Sequence, residues 1–119
     1  MTANGRSLGR FLLSRVERLV IDAGAGNDVV KLVGVTLDSE LYGGTGADVL
    51  IGGDGQDQMF GDDGPDVLRG RRGADRLDGG AGRNILYGNT GNDILQGLSG
   101  FDLLFGGPGL DQLLWSRRA

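Results

Sequence analysis

The chain lacks cysteine and histidine altogether, and its 16 acidic residues include only two glutamates. Without cysteine or histidine it cannot form a Ser-His or Cys-His nucleophile pair, a thiolate zinc site or a histidine-bearing metal centre. Disulfide bonds are excluded as well. Collagen is excluded because only two prolines are present and glycine does not recur at every third residue. These absences remove the commonest nucleophilic and zinc-dependent enzymes from consideration.

Long apolar runs are also missing from the sequence. No segment approaches the ~20 apolar residues that a membrane-spanning helix needs, so no membrane span is predicted. Arginines interrupt the apolar residues between Leu8 and Val20, and no small-residue cleavage site follows them, so no secretory signal is predicted. The apolar residues of this stretch lie near helical spacing. This pattern favours a short capping helix, and a membrane-surface helix is the alternative.

Glycine and aspartate are abundant, with 25 glycines and 14 aspartates in 119 residues. Residues 43–114 contain eleven aspartates against five arginines, a net charge of −6. Such an acidic block disfavours nucleic acid as a partner. It favours a hard cation that takes oxygen ligands.

An internal repeat organises most of the chain. From Gly43 to Leu114 the sequence divides without a gap into eight nonapeptide units, with glycine at the first and fourth positions of every unit. The eighth position is leucine except at Met59, and the sixth is aspartate except at Asn84. The units are GGTGADVLI, GGDGQDQMF, GDDGPDVLR, GRRGADRLD, GGAGRNILY, GNTGNDILQ, GLSGFDLLF and GGPGLDQLL. Repetition at a fixed short period is the signature of a solenoid.

The repeat is less regular upstream. Residues 23–31 form another unit with Asp28 at the sixth position, whereas residues 34–42 have Ser39 there. Residues 32–42 number eleven where nine are expected, which predicts a two-residue insertion. We therefore divide the chain into a capping segment (1–17), irregular first laps that begin with a strand at 19–21 (18–42), the eight-unit block (43–114) and a tail (115–119).

Each unit combines a turn with a short strand. Glycine tolerates positive φ and aspartate favours turns, so the first half of a unit cannot continue a strand. Its last three residues alternate in direction, so that only the eighth side chain points inward. Two units then make one lap of eighteen residues, and successive strands fall in opposite parallel sheets. The inward residues predicted to form the core are Leu50, Leu68, Leu86 and Leu104 on one sheet and Met59, Leu77, Leu95 and Leu113 on the other.

Spacing favours calcium at the turns. Parallel strands lie about 4.8 Å apart, so carboxylates one lap apart should be separated by a similar distance. Calcium takes oxygens at about 2.4 Å, and two such oxygens on opposite sides of an ion therefore match one strand spacing, whereas magnesium prefers about 2.1 Å and retains its waters. The sixth positions should alternate between two edges of the coil. One edge would carry Asp48, Asp66, Asn84 and Asp102, and the other Asp57, Asp75, Asp93 and Asp111.

Residues 43–114 resemble the haemolysin-type calcium-binding repeats of RTX proteins, whose consensus is G-G-x-G-x-D-x-U-x. The resemblance implies an all-β, two-sheet, right-handed parallel β-roll in which each ion lies between turns eighteen residues apart. It implies that the ligands are the sixth-position side chains of both turns and backbone carbonyls, which gives up to six calcium sites here. Asp28 would add a weaker site. It also implies type I export, a secreted and extracellular protein, disorder at low calcium, and no catalysis within the repeats.

Three departures qualify the resemblance. Asn84 should keep an oxygen ligand but lacks the negative charge, which predicts weaker sites at its turn. Arg71 and Arg72 replace small residues, so they should either repel the ion or point outward. Only residues 115–119 follow the repeats, where the family's export signals lie.

Two alternatives remain open at this stage. A glycine-rich solenoid or linker without metal would need neither the leucines nor the aspartates in register. A recognition module would instead bind a polysaccharide or a partner protein. The odd-numbered units support this second alternative, because seven of eight outward strand residues are apolar. We name the surface they form the odd face and expect a second copy of the chain, a neighbouring domain or residues 8–17 to cover it: Val49, Ile51, Val67, Arg69, Ile85, Tyr87, Leu103 and Phe105.

Overall fold

A computed structural model describes residues 2–3, 6–7, 18–98 and 101–115. Within these residues the regular elements are all strands, and no helix is long and apolar enough to cross a membrane. The strands are β1 Thr2–Ala3, β2 Arg6–Ser7, β3 Arg18–Asp22, β4 Val29–Lys31, β5 Asp38–Tyr42, β6 Val49–Ile51, β7 Asp57–Phe60, β8 Val67–Arg69, β9 Arg76–Asp78, β10 Ile85–Tyr87, β11 Ile94–Gly97, β12 Leu103–Phe105 and β13 Gln112–Trp115.

Two parallel sheets form a β-roll, which confirms the predicted fold class. The even-numbered strands β4 to β12 make a five-stranded sheet, and the odd-numbered strands β3 to β13 make a six-stranded sheet. Leu50 pairs with Leu68, and Leu68 with Leu86, so one lap is eighteen residues. The first lap is longer, because Val30 pairs with Leu50 and the register is therefore shifted by twenty residues. This shift confirms the predicted insertion of two residues.

The core is one cluster of buried side chains between the two sheets. Of the eight predicted core residues, seven are buried, and Leu113 is partly buried because its strand β13 ends the six-stranded sheet. The irregular first laps extend this core with apolar residues of their own. These are Leu19, Ile21, Val30, Leu32, Val35 and Leu41.

Glycine at the fourth position allows the turns to stack. At Gly64, φ is +120°, and a Cβ there would overlap the carbonyl oxygen of Gly46 in the turn one lap below. A side chain would thus be strained by the backbone angle and would also push the two turns apart. Asp62, Arg71 and Asn89 adopt positive φ at the second position without being glycine. The close backbone approach therefore demands glycine at the fourth position of this turn, whereas the second position accepts other residues.

The two ends of the chain depart from the repeat. Strand β3 contains the strand predicted at 19–21, while the predicted capping helix falls in residues 8–17, outside the described residues. Two short strands that the sequence does not predict, β1 and β2, pair antiparallel, and β1 lies against β4. Strand β13 includes Trp115, which the sequence places in the tail. Its indole Nε1 donates to the carbonyl oxygen of Asp102 at 3.4 Å.

Candidate metal centre

Sixth-position side chains form two hydrogen-bonded rows, one along each edge of the roll. In each row a side-chain Oδ1 accepts a hydrogen bond from the sixth-position residue one lap earlier. The donor is the backbone N–H, as Asp66 accepts from Asp48 at 2.8 Å, except at Ser39, whose hydroxyl donates. We name the row that begins at Asp28 the first edge and the row that begins at Ser39 the second edge. The first edge comprises Asp28, Asp48, Asp66, Asn84 and Asp102, and the second comprises Ser39, Asp57, Asp75, Asp93 and Asp111.

The second oxygen of most of these carboxylates is buried without a hydrogen-bond partner. This is true of Oδ2 in Asp48, Asp66, Asp75 and Asp93, and of both oxygens in Asp28. Each of these five residues has at most 2% of its surface exposed. A buried ionised carboxylate is costly unless a charge or donor compensates it. The row of unpartnered oxygens is therefore the feature to which a cation would bind.

Backbone carbonyl oxygens share the space beside these carboxylates. A Cβ placed on Gly43 would lie 2.8 Å from Asp48 Oδ2 and 2.8 Å from the carbonyl oxygen of Gly61, one lap later. The same arrangement recurs around Gly61, where Asp66 Oδ2 and the carbonyl oxygen of Gly79 lie 2.6 and 2.7 Å from that point. Carboxylate and carbonyl oxygens placed side by side in this way suit calcium, which binds both.

Carboxylates alone would not complete a site. Within the described residues no three acidic side chains converge on one point. Each ion would thus need backbone carbonyls in addition to one or two carboxylates. The available donor atoms are of the kind that calcium binds, because the turns supply carbonyl oxygens next to the unpartnered carboxylates.

Burial changes the acidity of these groups. It raises the pKa of Asp75 to about 8, and the neighbouring Asp57 and Asp93 carboxylates add to the rise against the opposing hydrogen bond from the Asp57 N–H. Burial likewise raises the pKa of Asp66 to about 7 and that of Asp93 to about 6. Without a cation, protons would therefore neutralise part of the row near neutral pH. A bound cation would favour the ionised form.

Asp57 differs from its neighbours because both of its oxygens have donors. The hydroxyl of Ser39 donates to Oδ1 at 2.6 Å, and the backbone N–H of Gly53 donates to Oδ2 at 3.0 Å. Sequence reasoning treats Ser39 only as a missing aspartate. Its position, one lap before Asp57, is the signal that would identify it as the start of the second edge.

Asn84 also differs from the aspartates. Its Oδ1 accepts the N–H of Asp66 at 2.9 Å, so its only side-chain oxygen takes the role that Oδ1 has in the aspartates. Its Nδ2 donates to the carbonyl oxygens of Gly80 at 3.3 Å and Gly82 at 3.5 Å. An N–H donor therefore stands where Asp48, Asp66, Asp75 and Asp93 present an unpartnered oxygen.

The last two predicted ligands continue the rows. Asp102 Oδ1 accepts the N–H of Asn84 at 2.7 Å, and Asp111 Oδ1 accepts the N–H of Asp93 at 2.8 Å. Asp102 is buried, whereas Asp111 in the last turn is partly exposed. Their side chains thus occupy the same places as the earlier sixth-position residues.

The two arginines of the fourth turn are exposed. The guanidinium of Arg71 donates to the carbonyl oxygen of Leu32 at 3.4 Å, on the outside of the roll. Of the two predicted alternatives, the structure thus shows the outward one for both Arg71 and Arg72.

A second set of rows at the fifth positions was not predicted from the sequence. Asn27 Oδ1 accepts the N–H of Ala47, and Asn92 Oδ1 accepts that of Leu110, both at 2.8 Å. The donor lies one lap later here, whereas it lies one lap earlier in the sixth-position rows. These side chains tie adjacent turns together.

Comparison with known proteins agrees with this geometry. The family model described as the RTX calcium-binding nonapeptide repeat matches in four copies, at residues 20–31, 34–68, 60–95 and 87–114. No curated protein and no solved structure matches the chain. The four copies extend from the irregular first laps to the last repeat and cover most of the sequence. The chain therefore belongs to the RTX calcium-binding repeat family.

Proposed function

We propose that this chain is a module that folds around several calcium ions, held between turns one lap apart. The single observation that carries the proposal is the row of buried carboxylate oxygens without partners beside backbone carbonyls. The proposed ligands are Asp48, Asp66, Asp75 and Asp93, with Asp28 at the start of the first edge and Asp102 and Asp111 at the C-terminal laps. We propose a binding and structural role for it, with no catalysis.

Calcium would be coupled to folding because the unpartnered oxygens are buried only in the folded chain. Without the ion, the fold must either bury carboxylates next to one another or protonate them, and both cost free energy. Ligands that bind only the folded state stabilise it. We therefore expect the chain to be mostly disordered without calcium and to gain β structure cooperatively when calcium is added.

Circular dichroism tests this coupling. The chain in EGTA should give a disordered spectrum, and calcium should convert it to a β spectrum with a midpoint near ~10⁻⁴–10⁻³ M, as in extracellular modules. Magnesium at the same concentrations is the control and should have a much smaller effect. A complete β spectrum in EGTA would contradict coupled folding.

Calcium dependence suggests where the module acts. RTX repeats occur in exported bacterial proteins. A chain that is unfolded at low cytoplasmic calcium and folded at high extracellular calcium suits transport in an extended form. We propose that the module is exported by a type I route and folds outside the cell. Cell fractionation with and without a type I exporter would test this route, and retention of export without the exporter would contradict it.

A second role is suggested by the odd face. In the structure its residues lie on the outside of the five-stranded sheet, and Leu103 and Phe105 are about half exposed, at 53% and 49%. Arg69 lies 4.9 Å from the centre of the Tyr87 ring, and Phe105 stacks on Tyr87 at 5.2 Å. In this column Tyr87 lies between Arg69 and Phe105, so its ring faces are not free to stack on a sugar. This arrangement favours a protein partner over a polysaccharide.

We propose a second copy of the chain as that partner, since apolar sheet faces commonly pack together. Sedimentation velocity of the calcium-loaded protein should show a dimer. Replacement of Val67 and Ile85 by threonine should yield a monomer with unchanged calcium binding. A wild-type protein that is monomeric at every concentration would contradict this role.

A further inference from the structure

Asn84 places an amide at the sixth position, where the other seven nonapeptide units have a carboxylate. It is buried, with 1% of its surface exposed. Its orientation is fixed by its neighbours, because the N–H of Asp66 requires an acceptor and therefore faces Oδ1. The amide NH₂ is consequently directed at the opposite side, toward the carbonyl oxygens of Gly80 and Gly82.

An amide NH₂ and a calcium ion can each serve as the partner of the turn carbonyl oxygens, but they exclude one another. Both are positive partners for carbonyl oxygens, but NH₂ is a donor that cannot coordinate a cation, and it occupies the space next to the oxygens. At Asp66, one lap earlier, Oδ2 is an unpartnered acceptor in the same position. The turn at Asn84 is therefore complete without metal, while the turn at Asp66 is not.

We propose that Asn84 is a built-in substitute for calcium, which closes its own turn by hydrogen bonds and removes the two inter-turn sites that would include it. This inference rests on the proposed calcium-binding function. The ions of the first edge would then lie before a metal-free turn, between the turns from Asp28 to Asp66. Fewer than the six ions implied by eight regular units would bind between them.

The metal-free turn has a consequence for folding. Because the carbonyl oxygens of Gly80 and Gly82 already accept from the Asn84 amide, these two groups in the segment 79–84 need no ion. We expect it to be the part of the first edge that remains most ordered as calcium is withdrawn. Backbone amides of this segment should exchange with solvent more slowly at limiting calcium than those of the turn that precedes Asp66.

The number of ions bound at saturation tests the proposal. Wild type, Asn84→Asp and Asn84→Ala would be dialysed against saturating calcium, and bound calcium counted per chain by atomic emission. Asn84→Asp restores an unpartnered oxygen and should bind at least one more ion than wild type. Asn84→Ala removes no ligand and should bind the same number, although its fold is less stable. Asn92→Asp is the matched control, because it makes the same chemical change at an exposed side chain, and its count should equal that of wild type.

The outcomes separate the two proposals. If wild type binds no calcium, the proposed function fails. If wild type binds calcium and Asn84→Ala loses an ion, Asn84 is a ligand and the substitute role is wrong. An unchanged count in a folded Asn84→Asp would overturn it as well. Should Asn84→Asp fail to fold, the substitute role is tested by two other results. It requires an unchanged calcium count for Asn84→Ala and slower amide exchange at residues 79–84 than in the turn that precedes Asp66.

Discussion

Replacement of Asp75 by asparagine should have opposite effects on the calcium-free and the calcium-loaded protein. Burial raises the pKa of Asp75 to about 8, against an ordinary value of 3.8. Its Oδ1 accepts the Asp57 N–H, and its Oδ2 has no partner. Asparagine has the same shape and would keep the first contact. Its NH₂ would then face the turn carbonyls, as that of Asn84 does.

The size of the effect follows from the pKa. At pH 7 the carboxyl of Asp75 is largely protonated in the calcium-free fold and ionised in the unfolded chain. Keeping a carboxyl protonated at a pH about three units above its ordinary pKa costs about 4 kcal/mol, at about 1.4 kcal/mol per unit. An asparagine pays no such cost. In EGTA at pH 7 we therefore expect Asp75→Asn to raise the free energy of unfolding by up to this amount, whereas with calcium it should lower the number of bound ions.

Urea titrations followed by circular dichroism, in EGTA and in calcium, measure both effects, with an osmolyte added where the calcium-free chain is unfolded. Asp54→Asn is the control: Asp54 is exposed in the second turn, and its replacement should change neither curve appreciably. Equal destabilisation by Asp75→Asn with and without calcium would refute the reasoning, as would an unchanged calcium count.

Three further predictions concern acidity, turn stacking and a second ligand. Because the pKa values of Asp93, Asp66 and Asp75 are raised in the fold, calcium-free β structure should increase as the pH falls from about 8 to 5, while calcium affinity falls. Circular dichroism measures the first effect and calorimetry the second. Values that do not change over this pH range would contradict the burial of these carboxylates. Gly64→Ala should lower the melting temperature in calcium because of its positive φ and its clash with the turn below, whereas Gly34→Ala, which has no atom within 4 Å of the added Cβ, should lower it less. Asp93→Ala should reduce the calcium count in calorimetric titration, and an unchanged count would contradict its assignment as a ligand.

The fold could be predicted from the sequence because one short period specifies both the turns and the core. Leucine at the eighth position and glycine at the fourth recur so regularly that strand register follows directly from the numbering, as the pairing of Leu50 with Leu68 illustrates. The alternation of the sixth positions between two edges follows from the same period. The hydrogen bond from Asp48 N–H to Asp66 Oδ1 confirms that placement.

Which side-chain oxygens have a hydrogen-bond donor in each turn could not be predicted from the period alone. It depends on which backbone N–H groups reach each carboxylate, and this changes where the regular repeat begins or a residue differs. Gly53 donates to Asp57 in the turn that follows the irregular lap, and Ser39 supplies a second donor. The orientation of the Asn84 amide is likewise set by the N–H of Asp66, one lap away. Residues that look equivalent in the repeat therefore present different atoms to an ion.

Anomalous diffraction from crystals of the calcium-loaded protein tests the central claim most directly. We predict calcium peaks at about 2.4 Å from Oδ2 of Asp66 and Asp75, each also in contact with backbone carbonyl oxygens, and no peak beside Nδ2 of Asn84. Crystals that are saturated with calcium but have no peak at Asp66 or Asp75 would contradict the account.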